Sequence, residues 1–274
     1  MDSPSAHQDP GSVPRPQVDQ RALANRHLHR AGRLSSTVVR PDPGVIPSLG
    51  MTVNSCAYCG GPHATTRDHV PPKCIFPSPA PSGLVTVRAC EACNQGASAD
   101  DEYFRDVIVR YHRVADQPAA APILESMLRA AGRPEKQAYA EATLASFRLI
   151  DLETSAGIYL DRRLATVASG QRLERAAIRY VRGLYRHEIG EPLPATSSFV
   201  VSLEPDANLA SRADIERVLG FGTQRVIADN VFWYAWQRAF DNPDITIWLL
   251  VFFGAFPILV VARRPLASPV APAV

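Results

Sequence analysis

Lysine is almost missing from this chain of 274 residues: Lys73 and Lys136 stand alone among 29 Lys+Arg residues, and the rest are arginine. Net charge is nearly missing too. Against 27 Asp+Glu the formal balance is +2, so no whole-molecule field draws the chain to nucleic acid, and such a function has to rest on a local site. Residues 1–50 lack a sustained apolar run, so nothing in them reads as a secretory signal peptide. Cysteine is absent outside one short stretch. All 5 (Cys56, Cys59, Cys74, Cys90 and Cys93) fall within it, and an odd number argues against a framework built of disulfides alone. No internal repeat is evident.

What is present is globular in balance, 46% hydrophobic and 20% charged, with length for one large or two modest domains. Residues 1–50 carry Pro4, Pro10, Pro14, Pro16, Pro41, Pro43 and Pro47 among Ser, Arg, Gln and Asp, and read as a disordered Pro/Arg-rich arm. The arm holds the formal +2, which leaves residues 51–274 neutral. Met51 stands just before the first cysteine and reads as an alternative translation start, with the arm upstream of it. Residues 52–99 are too poor in large apolar side chains to build an ordinary core.

A helix is expected after them. Ser98 with Asp101 reads as a capping box, followed by Phe104, Val107, Ile108, Tyr111 and Val114 at helical spacing. A second helix is predicted over Ala121–Ala131, ending at Gly132. Phe147–Leu152 and Gly157–Leu160 read as a strand pair. Leu173–Ile189 reads as an amphipathic helix, Phe199–Leu203 as a strand, and Ser211 as the cap of a short helix ending near Gly220. The nearly unbroken apolar run Ile245–Ala262 reaches the length of a membrane span. Gly254 and Pro257 interrupt it, β-branched and aromatic residues dominate it, and Asp241-Asn242-Pro243-Asp244 precedes it as a turn. Buried antiparallel strands at Val231–Ala239, Ile245–Phe253 and Phe256–Ala262 account for all of this, and no membrane partner is expected. The expected fold class is α+β: a metal-braced module over 51–116, then an α+β domain with an antiparallel sheet over 117–274.

The sharpest signal is a pair of CxxC knuckles, Cys56-Ala-Tyr-Cys59 and Cys90-Glu-Ala-Cys93, separated by 30 residues. Each offers two thiolates from one tight turn, and together they complete a closed tetrahedral site suited to structural Zn²⁺. Such an ion would help to fold a segment that lacks a core. Two disulfides or a redox CxxC are the alternatives. Cys74 is left over and reads as a small buried hydrophobe beside Ile75 and Phe76.

Between the knuckles lies Thr65-Thr66-Arg67-Asp68-His69-Val70-Pro71-Pro72-Lys73, and Asn94 follows the second knuckle at once. In CAYCG, TRDHVPPK and CEACNQG, over roughly residues 54–112, the sequence resembles the HNH endonuclease family, in the variant whose ββα-metal motif is braced by two CxxC knuckles. The resemblance implies Asp68 as ligand of a catalytic divalent metal, His69 as general base and Asn94 as second ligand. Independently of the resemblance, hydrolysis of a phosphodiester needs a base, and an imidazole with pKa near 6.5 suits neutral pH. A hard cation on the scissile phosphate supplies the charge clamp, and carboxylate and amide oxygens suit Mg²⁺ or Mn²⁺. Neighbours on a strand point to opposite faces, so Asp68 and His69 are expected at a bend or loop edge. The family's middle Asn, which braces the loop bearing the His, is missing, and only Thr86 could take its place.

Other candidates have bland alternatives. Asp100, Asp101 and Glu102 read as helix N-terminal charges, and His63 as an ordinary loop residue. Arg67 is placed for a phosphate contact or as a surface residue. Arg172, Arg175, Arg179, Arg182 and Arg186 form a stripe that is either phosphate-tracking or, more simply, solvated. Trp233, Tyr234, Trp236 and Trp248 suit core packing better than base stacking. The expectation is therefore a cytoplasmic, metal-dependent DNA endonuclease, with a non-catalytic zinc module binding nucleic acid or protein as the rival reading.

Overall fold

The computed structural model describes residues 54–154, 156–166, 168–203, 218, 220 and 222–265. The arm over 1–50, the Met51 start and the Ser211-capped helix lie outside those residues, apart from Val218 and Gly220, which are helical.

A short antiparallel hairpin comes first, β1 (Thr66–His69) against β2 (Thr86–Ala89), followed directly by α1 (Glu91–Gln95) and α2 (Ser98–Arg110). α3 (His112–Ala115), α4 (Ala121–Ala131) and α5 (Gln137–Ala145) come next, then a second hairpin, β3 (Phe147–Glu153) with β4 (Tyr159–Thr166). The long helix α6 (Gly170–Ile189) leads into β5 (Ser198–Leu203), β6 (Thr223–Ala228), β7 (Phe232–Arg238), β8 (Ile245–Phe252) and β9 (Phe256–Arg263). These last strands form one antiparallel sheet in the order β5-β9-β8-β7-β6. The fold is α+β, as the pattern predicts.

The apolar run at 245–262 forms two strands of this sheet, and among the described residues no helix is long and apolar enough to cross a membrane. Its unbroken hydrophobicity follows from burial on both faces. On one face Phe232, Tyr234, Leu250, Phe252, Ile258 and Val260 join the main core, while Ala235, Leu249, Val251 and Leu259 pack with Val218 on the other. Tyr234 and Trp248 are fully buried, and the indoles of Trp236 and Trp248 stack across the β7–β8 register at 5.2 Å. The aromatic cluster is core, as its strand setting implies.

α6 is packed from two sides. Tyr180 meets Phe104 of α2 edge-on at 5.2 Å and lies 6.3 Å from Phe252 of the sheet. Gly183 faces the end of the first hairpin, where a Cβ would come within 2.6 Å of Val70 Cγ2. Val70 is buried and stiff at χ1, so it cannot swing clear. Gly183→Ala is expected to destabilise the protein by about 1–3 kcal/mol through overpacking. Urea melts should show that loss largely reversed in Gly183→Ala/Val70→Ala, since the two sites share one contact.

Three local expectations are revised. Ser98 does not cap α2: its N-cap is Ala97 with no side-chain cap, and Asp101 is buried instead, accepting a hydrogen bond from the Tyr180 hydroxyl at 3.1 Å. Asp68 and His69 lie within β1 rather than at a bend, because pairing with β2 keeps the backbone extended through His69. Most of the arginine stripe of α6 is not a solvated face: Arg172, Arg179 and Arg182 lie in the seam along which the helix docks on the hairpin and α2, Arg175 joins it while half exposed, and Arg186 bonds to Gly190 O at the helix's own end.

Candidate functional site

The first knuckle is shaped by its backbone. Cys56 N–H donates to Gly61 O at 2.8 Å and Gly60 N–H to Cys56 O at 2.9 Å, with Gly60 at φ +75°, where a side chain would be strained. Ala57 N–H donates to Arg88 O at 2.9 Å and ties the knuckle to β2. In the second knuckle Cys90 is the N-cap of α1 and Cys93 follows within its first turns. The four sulfurs of Cys56, Cys59, Cys90 and Cys93 lie within 4.8 Å of one another, with Cys59 and Cys90 3.9 Å apart, and all four are free thiols. A tetrahedral ion with M–S near 2.3 Å needs sulfurs about 3.8 Å apart. The cluster can therefore hold a metal ion such as zinc. Cys74 stays outside it, half-buried, with Sγ 3.8 Å from Asp101 O.

Strand alternation gives the hairpin two unlike faces. Thr66 and Asp68 point inward, opposite Ala89 and Val87. Arg67 and His69 point outward, opposite Arg88 and Thr86.

On the inner face Asp68 is buried and both of its carboxylate oxygens accept hydrogen bonds. Its Oδ2 accepts from Arg179 Nη2 at 2.6 Å and from the Tyr58 hydroxyl at 2.5 Å, and its Oδ1 accepts from His69 N–H at 2.9 Å. The Arg179 guanidinium lies 4.2 Å over the Tyr58 ring, donates to Cys93 O at 3.2 Å and stands 3.7 Å from Asp101. Burial keeps the Tyr58 phenol protonated, so it donates to Asp68 rather than repelling it. Burial also pushes Asp101 up to about 6, against the lowering effects of Arg179 and Tyr180. Asn94 sits on this face too, its Nδ2 donating to Thr66 Oγ1 at 3.1 Å.

The structure thus brings Asp68 and Asn94 to one side of β1 and His69 to the other. It also shows what sequence reading missed, the cation between Asp68 and Asp101. A signal existed in the arginines of α6 and the acidic pair that opens α2, but neither points to the other without the docking.

The divalent metal implied by the resemblance does not fit Asp68 as arranged. Both lone pairs of Oδ2 are taken, and a guanidinium already neutralises the carboxylate. A doubly charged ion about 4 Å from Arg179 would be repelled by about 8 kcal/mol at an effective dielectric near 20, which offsets about half of its attraction to Asp68 at a ligand distance of about 2.1 Å. Among the described residues no group of three or more His, Cys, Asp or Glu other than the four cysteines gathers closely enough to hold an ion.

The outer face is open and basic. Arg67 and Arg88 are exposed and directly opposite each other, a like-charge pairing that costs stability unless an anion joins them. Among the described residues the Arg88 side chain donates one long hydrogen bond, to Ala64 O at 3.4 Å. The half-buried His69 imidazole has no hydrogen-bond partner among the described residues, and partial burial, with the charge of nearby Lys73, lowers its pKa. Thr86, in the position nearest the family's middle Asn, is the cross-strand partner of His69. His63 is an exposed loop residue, as expected.

The remaining arginines hold α6 in place. Arg172 and Arg175 pair with Asp100 at 2.8 and 2.9 Å, and Arg182 donates to the carbonyls of Tyr58, Leu193 and Pro194. Glu102 pairs with Lys136. The acidic trio is thus engaged in ion pairs or buried contacts, beyond any favourable placement near the helix dipole.

Comparison with protein-family models, curated proteins and solved structures finds no match to this chain. The site has to be read from its own chemistry.

Proposed function

We propose that the chain is an endonuclease of the HNH type, hydrolysing phosphodiester bonds of DNA at the outer face of the hairpin, with zinc on the four cysteines as its structural brace. One observation carries the reading: an imidazole with no hydrogen-bond partner among the described residues, His69, shares an open strand face with the opposed guanidiniums of Arg67 and Arg88. A bridging phosphate would relieve the Arg67–Arg88 repulsion with charge-assisted hydrogen bonds. It would also lie beside a base that partial burial and Lys73 hold in the neutral, proton-accepting form. His69 takes the proton from the attacking water as its oxygen bonds to phosphorus, the P–O bond to the departing sugar oxygen breaks, that oxygen is protonated by solvent water, and the guanidiniums stabilise the charge that develops on the phosphoryl oxygens. DNA is favoured over RNA by the family resemblance alone.

A second reading, a non-catalytic zinc module that binds nucleic acid, is favoured by the commitment of Asp68 to Arg179 and Tyr58. Nicking of supercoiled plasmid by the zinc-loaded full chain, with and without added Mg²⁺ or Mn²⁺, separates the two. Conversion to open circle is expected; binding without conversion under every condition would favour the module. Arg67→Ala and Arg88→Ala should each weaken DNA binding across sequences and reduce the salt slope by about one. An unchanged slope in both would move the phosphate contact elsewhere.

A further inference from the structure

We infer that Arg179 is the resident cation of the Asp68 site, and that the chain takes up no divalent metal ion there. This concerns the buried face of the hairpin that bears the proposed nuclease site, and it does not depend on cleavage being found.

Four features hold the guanidinium in place: the Asp68 carboxylate at 2.6 Å, the Asp101 carboxylate at 3.7 Å, the Cys93 carbonyl at 3.2 Å and the Tyr58 ring at 4.2 Å. The Arg179 side chain is only 13% exposed. For a hard ion to reach Asp68 the guanidinium must leave all four, and its exit would leave two buried carboxylates to be matched by the ion alone. Mg²⁺ and Mn²⁺ sites need carboxylate oxygens with free lone pairs and room for bound waters. Here Oδ2 of Asp68 has no lone pair to spare, Oδ1 already accepts from His69 N–H, and the Asn94 amide nitrogen is turned to Thr66. Asp68 and Asp101 with Arg179 carry a net formal charge of −1 when both carboxylates are ionised, whereas without Arg179 they would carry the −2 typical of a divalent-cation site. Two kinds of positive centre therefore lie side by side, a thiolate cluster suited to a soft ion and a carboxylate pair closed by a guanidinium.

The test is a titration of the zinc-loaded full chain with Mn²⁺, following the free-ion EPR signal. With the wild type, and with R179K, one equivalent should keep its full free-ion signal. R179Q should remove that signal by binding, and R179Q/D68N should restore it. Uptake by the wild type that D68N abolishes overturns the inference. Uptake that D68N leaves unchanged lies elsewhere and agrees with it. A folded, zinc-replete R179Q that binds no ion also overturns it, because something other than the guanidinium would then be excluding the metal. If R179Q does not fold, the wild-type and R179K titrations decide alone. Plasmid nicking plays no part in these readouts, so a failure here is distinct from a failure of the nuclease reading.

Discussion

Cys90→Ala is expected to unfold the first hairpin and α1 outright rather than weaken them. The hairpin has four residues in each strand, and its buried face offers no large aromatic or leucine side chain, with Val87 and Ala89 from β2 and Val85 and Val70 just beyond the paired strands. An isolated two-stranded ribbon of that size is marginal in water. The four-cysteine cluster joins its two ends, since Cys56 and Cys59 precede β1 and Cys90 and Cys93 follow β2. Binding of structural zinc in small domains is worth on the order of 10 kcal/mol, which in such domains is folding energy. Three thiolates with one open position lose most of it. Removal of the metal by chelator should give the same state. Metal content together with near-ultraviolet circular dichroism checks this: both should fall in Cys90→Ala and stay intact in Cys74→Ala, whose thiol lies outside the cluster. A Cys90→Ala protein that kept one metal ion and its native spectrum would contradict the pairing of the knuckles.

Arg179→Ala should cost about 3–5 kcal/mol, the usual penalty for removing one partner of a buried ion pair. Asp68 would keep Tyr58 and His69 N–H as donors but lose its counter-charge, and Asp101 would lose the strongest influence holding its pKa down. The pH dependence has a definite sign. Asp101 already has its folded pKa raised to about 6 by burial, so its protonated form is the one folding favours, and that contribution fades as pH rises through about 6. Removing Arg179 raises the Asp101 pKa further. The deficit of the variant should therefore be smaller below pH 6 and larger above it. Urea melts on either side of that pH measure the difference. A loss under about 1 kcal/mol, as for an exposed ion pair, would mean that the seam between α6 and the hairpin is not the buried junction described above.

How much of this was legible in the sequence depended on how local each cause was. The Ala121–Ala131 helix ends at Gly132 as its stop signal predicts, and the strands at 232–238, 245–252 and 256–263 follow from β-branched and aromatic residues bounded by turns. Gln137–Ala145 escaped notice because it is Ala-rich and presents no apolar stripe, although its residues favour helix intrinsically. β4 runs beyond Leu160 to Thr166 through Asp161, Arg162 and Arg163, which look like loop residues. The knuckles were readable because spacing alone defines them, whereas Asp68, His69 and Asn94 were singled out by the resemblance, and strand alternation sets His69 on the opposite face of β1 from the other two. Arg179 was not readable. Its role depends on a contact 111 positions distant from Asp68, made only when α6 docks, and its place in a regular stripe gave it no mark of its own.

The central claim is that hydrolysis belongs to the outer face of the hairpin and to His69. The most direct measurement is the plasmid nicking rate of His69→Ala against wild type, at matched metal content and matched melting temperature. The imidazole is half-buried and has no hydrogen-bond partner among the described residues, so its loss should leave the fold intact. Cleavage should fall by about 10²–10⁴-fold, the usual contribution of a general base. Equal cleavage by the two proteins would contradict the account.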